Sequence, residues 1–481
     1  IKNSGKFPQA KTLTLEWVGL FPGKRESRRF NGLYTLTQQD VINQSTHYDA
    51  VAYGGWAIDL HPADGVYAGG NGCHQWHSKG VYQIPYRCYV TPDLDNLFVG
   101  GRIISSSHVA NGTTRVMCTS ALGGEVIGRA ASICLSKGYK PIDLVDRDRI
   151  GLLQSLLVKN GNFIPGIAVA VEDNLADSAE ISVSSVLELD DLPADGTWFG
   201  LDYPIAQLIP VNGKVPVVRM NVKADNATRL VMELRSSSKS ENYTPDTIDA
   251  VLEFDLKKDE NEIVADFSYS YATPRYAFIC LMKNPEISVP MSGRLVTGLT
   301  AVYNYINPAV SNFGKQVPPE GIGVEEFEFW CPKRRPESKN IAMSFAPPLA
   351  SFNSENLRNS YYRPYIGTNA WVAAFDDARP EVCFKWNGRK QIETIILYFD
   401  TDTDQAMETV QMGHFDACVP TCYREYIIRD SEGKELYHIT GNHQTLNVLE
   451  LDQPVTTDAI YVNFVRPCGD VCPGLMGVYV C

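Results

Sequence analysis

From residue 178 onwards, apolar and polar residues alternate with a period of two in a series of short segments. Such alternation is typical of half-buried β-strands, whose successive side chains point to opposite faces of a sheet. Clusters of turn-forming residues, such as Asp195-Gly196, separate the segments. The segments predicted as strands are 181–187, 217–223, 228–234, 250–256, 263–269, 276–282 and 326–330. Short strands with this spacing predict a β-sandwich.

A second group of strand-like segments follows a linker at residues 331–339 that is rich in proline and charge. These segments are 381–386, 391–399, 423–429, 435–439, 445–451 and 459–465. The two groups do not look like copies of each other, and the chain shows no repeat with a period of about 20–50 residues. We therefore expect two different β domains.

The first part of the chain mixes strands with helices. Strands are predicted at Thr12–Val18 and Asn96–Val99, and helices at Arg115–Ser136 and Arg147–Lys159, where apolar residues recur at helical spacing. The fold class predicted for the whole chain is α+β and mostly β, with a partial α/β region followed by two β-sandwich domains. The predicted domains are 1–165, 166–335 and 336–481.

Composition narrows the class of protein. A hydrophobic fraction of 44% and an aromatic fraction of 10% exclude wholesale disorder, and no run of about 18 apolar residues predicts a membrane span. Residues 1–150 carry a net charge of +4 and the remainder −17. No stripe of clustered Lys and Arg appears, which argues against nucleic acid as a partner. The basic first segment fits either a small anionic ligand or a solvated face.

Of the 12 cysteines, five lie near the end of the chain: Cys418, Cys422, Cys468, Cys472 and Cys481. Disulfides, plain thiols and a zinc site with four thiolate ligands are all open on this spacing, although zinc ligands are usually spaced more tightly. Disulfides would favour a periplasmic or secreted protein.

The sequence contains no G-x-G-x-x-G fingerprint, P-loop, H-E-x-x-H or G-x-S-x-G motif. Three strings nevertheless carry a resemblance: LEWVGLFPGKRESRRFNGLYTLTQQD, YDAVAYGGWAIDLH, and YQIPYRCYVTPDLDNLFVGGRIISSSHVANGTTRVMCTSALGGEVIGRAA. They resemble the C-terminal part of the catalytic region of a bacterial FAD-dependent oxidoreductase family. The resemblance covers residues 12–165, and the dinucleotide fingerprint with which the family opens is absent from this sequence.

The resemblance implies FAD as cofactor and a missing N-terminal half or a partner chain that would complete the site. Since the chain begins with Ile1 and no signal peptide is visible, we expect a truncated, processed or incompletely sequenced protein. We also expect strand Asn96–Val99 to belong to a parallel sheet with its neighbours missing, so that residues 1–140 are not self-contained. Without the nucleotide-binding half, the chain should bind FAD weakly or not at all.

The cofactor-binding residues implied by the resemblance lie at the end of strand Asn96–Val99 and at the start of the following helix. They are Gly100, Gly101, Arg102, Gly112 and Thr113. A pair of glycines lets the backbone approach a ligand closely, and a helix N-terminus offers free N–H groups. The alternative interpretation of the Gly100-Gly101-Arg102 string is an ordinary turn with a surface arginine.

Flavin oxidation of an alcohol or amine needs a base for the remaining proton. His61 and His108 lie in or beside the matched strings and are the catalytic candidates, although a lone histidine is often structural. Arg87 and Arg115 could anchor an anionic or hydroxyl-rich substrate, or Arg115 could form a surface ion pair. Cys73, His74 and His77 are too few to predict a metal site.

The segment NLRNSYYRPYIGTNAWVAAFDDARPEVCFKWNGRKQIETIILYFDTD is similar to the discoidin-like, galactose-binding-like jelly roll. Domains of that kind often bind sugars through aromatic and polar loop residues. The resemblance implies Trp371, Tyr361, Tyr362 and Arg363 as substrate-binding candidates. The alternative is a structural domain whose aromatic residues pack at the domain junction.

Taken together, these features predict an FAD-dependent oxidoreductase, as a fragment or processed form. It would transfer a hydride from a hydroxyl- or amine-bearing substrate to flavin, with a small molecule or a carbohydrate as that substrate. The first alternative is a non-catalytic carbohydrate-binding protein that uses the C-terminal jelly roll, and a second alternative is a purely structural protein.

Overall fold

The computed structural model describes residues 5–17, 19–20, 28–70, 72–305, 314–332, 339–401 and 419–481. Strands greatly outnumber helices, and nearly all of them lie in antiparallel sheets after residue 180. The predicted fold class, α+β and mostly β, is therefore confirmed.

The first region contains the four α-helices of the described residues and four short strands. They are α1 (Gln38–Asn43), β1 (Ala50–Gly54), β2 (Ile58–Leu60), β3 (His74–Trp76), β4 (Tyr82–Pro85), α2 (His108–Thr114), α3 (Met117–Lys137) and α4 (Arg147–Lys159). Strand β1 pairs antiparallel with β4, and β2 with β3. Helices α3 and α4 both pack on β1 through buried aliphatic residues such as Val126 and Leu153. None of the helices described is long and apolar enough to cross a membrane.

Both predicted helices are present, and their ends follow from local chemistry. Helix α4 has the predicted bounds because the Asp146 carboxylate accepts hydrogen bonds from the backbone N–H groups of Asp148 and Arg149. Helix α3 begins at Met117 rather than at Arg115 because the chain leaves helical geometry at Val116, whose ψ is 153°. It ends at Gly138, whose φ of +70° is the left-handed conformation that glycine adopts without strain.

Both strands predicted in the first region are wrong. Residues 8–12 form a 3₁₀ helix, and residues 13–17 have no regular structure. The segment Asn96–Val99 makes a single antiparallel bridge, from Phe98 to Val90, and no parallel sheet occurs in the described parts of the chain. The chain turns at Asp95 and Asn96. The apolar residues that follow are therefore too few to form a ladder of β-sheet hydrogen bonds.

The middle region is the predicted β-sandwich. Its strands are β6 (Leu189–Leu192), β7 (Trp198–Leu201), β8 (Ile205–Val211), β9 (Val217–Ala224), β10 (Thr228–Ser236), β11 (Thr247–Leu256), β12 (Asp259–Ala265), β13 (Arg275–Leu281), β14 (Asn284–Ser292), β15 (Thr300–Tyr303), β16 (Lys315–Gln316), β17 (Phe327–Glu328), β18 (Cys331–Pro332), β19 (Asn340–Ile341) and β20 (Met343–Leu349). One sheet has the order β11-β10-β13-β8-β15-β18. The other has the order β19-β14-β9-β20-β6, with β12 beside β9 and β7 beside β14. The two sheets share a core of alternate aliphatic residues, such as Ile209 and Val218.

The C-terminal region is a second β structure with its own core around Trp371, Phe384 and Phe399. Its strands are β21 (Trp371–Val372), β22 (Glu381–Phe399), β23 (Tyr423–Asp430), β24 (Glu435–Ile439), β25 (Leu446–Pro467) and β26 (Gly474–Val480). Their order is β21-β26-β22-β25-β23-β24. Strands β22 and β25 are long, and the register of their pairing shifts at two points.

Three strands pair across the domain border predicted at 335. Strand β5 (Glu180–Val183) pairs with β22 of the C-terminal region, whereas β19 pairs with β14 and β20 with β9 of the middle sandwich. The division of the chain into 1–165, 166–335 and 336–481 remains a prediction.

Side-chain hydrogen bonds hold the first region to both β regions. The Tyr398 hydroxyl donates to the Lys159 carbonyl at 2.6 Å, and Lys159 Nζ donates to the Tyr479 hydroxyl at 2.8 Å. On the other side, Gln44 and Asn242 exchange two amide hydrogen bonds of 2.6 and 2.8 Å. Since these contacts lie at opposite ends of the first region, they fix its position against both β regions.

Candidate functional site

The candidate site is built where helix α2 packs on strand β2, just before helix α3 begins. Ser107 begins α2, because its hydroxyl accepts a hydrogen bond from the Ala110 N–H. At the other end of α2, the turn at Arg115 and Val116 separates it from α3. No side chain caps α3, so the first backbone N–H groups of that helix lack a capping acceptor.

Arg115, Asp59 and His61 form one charged cluster at this meeting point. Arg115 Nη2 lies 2.9 Å from Asp59 Oδ2 and 3.2 Å from the Asp59 carbonyl oxygen. His61 Nε2 lies 3.1 Å from the same carboxylate oxygen, and His61 Nδ1 lies 3.0 Å from the Gly72 carbonyl. Arg115 and Asp59 are largely buried, whereas 41% of the His61 side chain is exposed. The carboxylate therefore orients both a cation and an imidazole that faces solvent.

A row of buried polar atoms without hydrogen-bond partners lies next to this cluster. Asn111 is 1% exposed, and neither its Oδ1 nor its Nδ2 has a partner in the described part of the chain. The same is true of Thr114 Oγ1 and Ser106 Oγ. Asn111 and Thr114 are three residues apart and therefore share one face of α2. Because buried polar groups are almost always paired, this face requires either an ordered water or a ligand that displaces the residues covering it.

Sequence reasoning missed Asp59, Asn111 and Thr114. The signal that could have found the last two is their spacing. Asn111, Thr114 and Arg115 stand at positions i, i+3 and i+4, which places three polar side chains on one face of a helix. No local pattern marks Asp59, because its role comes from α2 packing on β2.

The predicted cofactor-binding glycines have different environments. A Cβ on Gly112 would lie 3.1 Å from the Asp59 carbonyl oxygen, so this glycine is needed for α2 to pack on β2. A Cβ on Gly100 would meet Ile127 at 2.7 Å. Gly101 has a φ of +65° and open space around its Cβ position, so it alone combines a glycine-specific turn with an accessible backbone.

Thr113 and Arg102 complete the predicted cofactor set. The Thr113 hydroxyl is fully buried, donates to the Trp56 carbonyl at 2.6 Å and lies 2.9 Å from the Tyr82 hydroxyl. Its side chain is therefore occupied by the protein itself. Arg102 is exposed on the 3₁₀ turn after Gly101.

Of the two predicted catalytic histidines, His61 belongs to the charged cluster, and His108 is exposed at the first position of α2. Arg87 is placed elsewhere. Its guanidinium makes two 2.9 Å hydrogen bonds to the fully buried Asp49 and lies over the ring of Tyr34. The hydrogen bond with Asp49 raises the pKa of Arg87. This saturated pair stabilises the fold and does not join the cluster.

Of the predicted sugar-binding residues of the C-terminal region, Trp371 and Tyr362 pack inside the protein, whereas Tyr361 and Arg363 are half-buried. Trp371 is 0% exposed, and its indole N–H donates to the Ser185 carbonyl at 2.9 Å. The Tyr362 ring stacks on Tyr398 with a centroid distance of 3.6 Å. The guanidinium of Arg363 lies 5.5 Å from the centroid of the Phe163 ring. These contacts match packing at the domain junction, which was the alternative interpretation.

No disulfide joins two cysteines of the described residues, and Cys418 lies outside them. The described ranges also hold no cluster of three or more His, Cys, Asp or Glu side chains suited to a metal ion.

The residues at the α2–α3 junction fit one part of FAD. Asn111, Thr114 and the first N–H groups of α3 would hold the polar edge of the flavin ring, whose oxygen and nitrogen atoms need such partners. A diphosphate normally binds at a glycine-rich turn between a parallel strand and a helix. The parts of the chain described here show no such unit.

Comparison with known proteins gives a family match in the first region. Residues 4–157 match the family FAD dependent oxidoreductase, which confirms the resemblance of the first region. No curated protein matches the chain.

The C-terminal region is similar in structure to family 32 carbohydrate-binding modules. The module of Streptococcus pneumoniae EndoD has 11% identity and a TM-score of 0.22, with 27% of this chain and 86% of that chain covered. Chitosan-binding module 1 of the Paenibacillus sp. IK-5 chitosanase/glucanase has 12% identity and a TM-score of 0.21, with 27% and 86% covered. The module of C. perfringens NanJ, in complex with galactose, has 11% identity and a TM-score of 0.19, with 28% and 83% covered. Scores of this size carry no argument about ligands.

Proposed function

We propose that the first region forms the flavin-facing wall of an FAD-dependent oxidoreductase that acts on a hydroxyl- or amine-bearing substrate. The observation that carries this proposal is the buried, unpartnered polar face of α2 beside the Asp59 cluster. A face of this kind is destabilising unless an ordered water or a ligand satisfies it, and a ligand would need the covering residues to move apart. The match of residues 4–157 to the FAD-dependent family supports flavin as that ligand.

Arg115 is the substrate-anchoring residue in this proposal. Only its Nη2 atom makes hydrogen bonds within the described residues, both of them to Asp59. Its Nη1 and Nε atoms are left to donate to an anionic or hydroxyl group. Since Asp59 fixes the guanidinium plane, the remaining donors are oriented before substrate binds.

His61 and His108 are the residues that would hold or transfer the proton released from the substrate. Oxidation of an alcohol or amine removes a hydride and a proton, and FAD when bound supplies the hydride acceptor. His108, exposed at the start of α2, is placed to accept a proton. Both ring nitrogens of His61 face oxygen atoms, so His61 is suited to positioning and to relaying a proton through Asp59.

The test is a titration of the chain with FAD, FMN and riboflavin, followed by quenching of flavin fluorescence. Because the described residues offer ring contacts and no diphosphate cradle, the three affinities should agree within about tenfold, and none should be submicromolar. Asn111→Leu should weaken all three, whereas the exposed control Asn226→Ala should not. Absence of any flavin binding, or submicromolar binding of FAD alone, would contradict the proposal.

A second candidate function is carbohydrate binding by the C-terminal region. The buried positions of Trp371 and Tyr362 remove two of the residues expected to carry it. The observation in its favour is a cavity of about 370 Å³ beside the C-terminal region, lined by amide and tyrosine side chains.

A further inference from the structure

We infer that this cavity, which lies between the middle sandwich and the C-terminal region, is a binding site for a neutral saccharide. The inference rests on the second proposed function and assigns it to particular residues. Most of the wall comes from the loop at 350–369, between β20 and β21. Asn212 and Pro274 close the other side, from the ends of the paired strands β8 and β13.

The first argument is charge. Among the residues that the structure describes, no Lys, Arg, Asp, Glu or His lines the cavity, so these residues offer nothing to neutralise a phosphate, a carboxylate or an amine. Its polar groups are amides and hydroxyls, which can both donate and accept hydrogen bonds. A sugar hydroxyl has the same double character. The volume lies within the range of roughly 300–1,000 Å³ that small-molecule sites occupy.

The second argument is the arrangement of the amides. Asn356 Nδ2 donates to the carbonyls of Ser351 at 2.9 Å and Ala370 at 2.7 Å, which leaves Asn356 Oδ1 as a fixed acceptor. Asn353 is exposed, and its side chain makes no capping hydrogen bond to the turn that it begins. Asn212 is also exposed. The cavity thus combines an anchored acceptor with two amides that can adjust to a ligand.

The third argument is the aromatic wall. Tyr361 and Tyr365 have ring centroids 5.1 Å apart, and Phe163 supports Tyr365 from behind at 5.1 Å. This packing holds the half-buried Tyr361 ring in a fixed orientation, so its face offers a flat surface with low conformational entropy, whereas Tyr365 is 4% exposed and supports it. The C–H face of a pyranose is flat and weakly polar, so it can pack on such a surface while its hydroxyl groups reach the amides.

The fourth argument is backbone conformation. Ser360, Ile366 and Asn369 have φ values of +61°, +63° and +51°. For a β-branched residue such as Ile366 this is a genuine outlier, which persists only where surrounding contacts hold it. Here Asn369 Nδ2 donates to the Tyr365 carbonyl at 2.8 Å, and the Tyr365 N–H donates to the Gly367 carbonyl at 2.9 Å. Strain of this kind clusters at ligand sites.

The experiment is isothermal titration calorimetry of the full chain with neutral and acidic sugars in matched pairs, glucose with glucuronate and galactose with galacturonate. Neutral oligosaccharides of glucose and of galactose are titrated as well. A neutral sugar should bind in preference to its uronate. Tyr361→Ala should weaken binding by roughly tenfold or more, and Asn353→Ala and Asn212→Ala by roughly 2- to 10-fold each. The two asparagine variants lose no hydrogen bond within the protein and should fold normally. Tyr67→Ala and Asn226→Ala are matched exposed controls outside the cavity, and they should bind like the wild type.

The outcomes separate the two ideas. If the wild type binds a neutral sugar and none of the cavity variants changes its affinity, the C-terminal region binds carbohydrate elsewhere and the inference falls alone. Stronger binding of the uronates would also overturn it. If no neutral sugar binds the wild type, the second proposed function and the inference fall together.

Discussion

Replacing Asn111 with leucine should make the first region more stable, although it alters a residue that we place at the flavin site. Asn111 is 1% exposed and neither of its amide atoms has a partner in the described residues. A buried polar group without a partner costs about 1–3 kcal/mol. Leucine has the same branching and the same number of side-chain heavy atoms, although its methyl groups are larger than the amide group; it removes that cost and has a better helix propensity. The expected gain is therefore about 1–3 kcal/mol, with flavin binding lost.

The control is Asn340→Leu, since Asn340 is equally buried but fully bonded. Asn340 Nδ2 donates to the Arg294 carbonyl at 2.9 Å, and Asn340 Oδ1 accepts from Gln207 Nε2 at 3.0 Å. Leucine at this position would remove the side-chain partner of the Arg294 carbonyl, whereas Gln207 Nε2 would keep its contacts with the Leu208 and Thr300 carbonyls. This substitution should therefore destabilise the middle sandwich by about 1–3 kcal/mol.

The assay is native-state hydrogen exchange, read on peptides that cover residues 100–137. In Asn111→Leu, amides of α2 and early α3 should exchange roughly 5- to 150-fold more slowly than in the wild type, which corresponds to about 1–3 kcal/mol. Faster exchange in Asn111→Leu would show that the protein itself satisfies this amide. The interpretation of the α2 face as a ligand-binding face would then be wrong.

Two further predictions concern histidines. Burial lowers the pKa of His47, so the unfolded state takes up a proton before the folded state does, and the stability of the first region should fall as the pH drops below about 6.5. Thermal unfolding between neutral and mildly acidic pH checks this, and the His47→Asn variant should show a weaker dependence; an unchanged pH profile in that variant would refute the assignment. In a protein that carries the complete flavin site, His61→Ala or His108→Ala should slow reduction of the flavin by substrate about 10²–10⁴-fold and leave flavin bound. Stopped-flow reduction of each variant measures this rate. If both variants reduce the flavin at the wild-type rate, neither histidine is the proton-transfer residue.

The parts of the fold that sequence predicted well are those that local chemistry determines. The alternation in segment 217–223 identified β9, because a period of two follows from strand geometry alone, and the short apolar run 276–282 identified the buried strand β13. Helix α4 was found with its bounds because Asp146 caps it. The segment Asn96–Val99 failed because an apolar run becomes a strand only when a neighbouring strand is available to pair with it.

In the candidate sites, too, sequence identified some residues and missed those that only tertiary packing brings together. Arg115 and His61 were identified from sequence, but Asp59, which orients both, was not, because only tertiary packing brings α2 onto β2. Aromatic residues misled the sequence interpretation of the C-terminal region. Nothing in the local sequence separates Trp371, which fills the core, from Tyr361, which lines the cavity. Burial decides that difference, and burial depends on residues distant in sequence.

The aromatic cluster behind the cavity joins the two proposed sites in one packed structure. Tyr53, in β1 of the first region, lies 5.7 Å from the Phe163 ring, which in turn contacts Tyr361 and Tyr365 of the cavity wall. Protein interiors are close-packed, so a side chain shared by two regions transmits position between them. The cavity is therefore held against the first region by side-chain packing and does not depend on a flexible linker. A saccharide bound there would occupy a fixed place relative to β1, and through it to the helices that carry the flavin-facing residues.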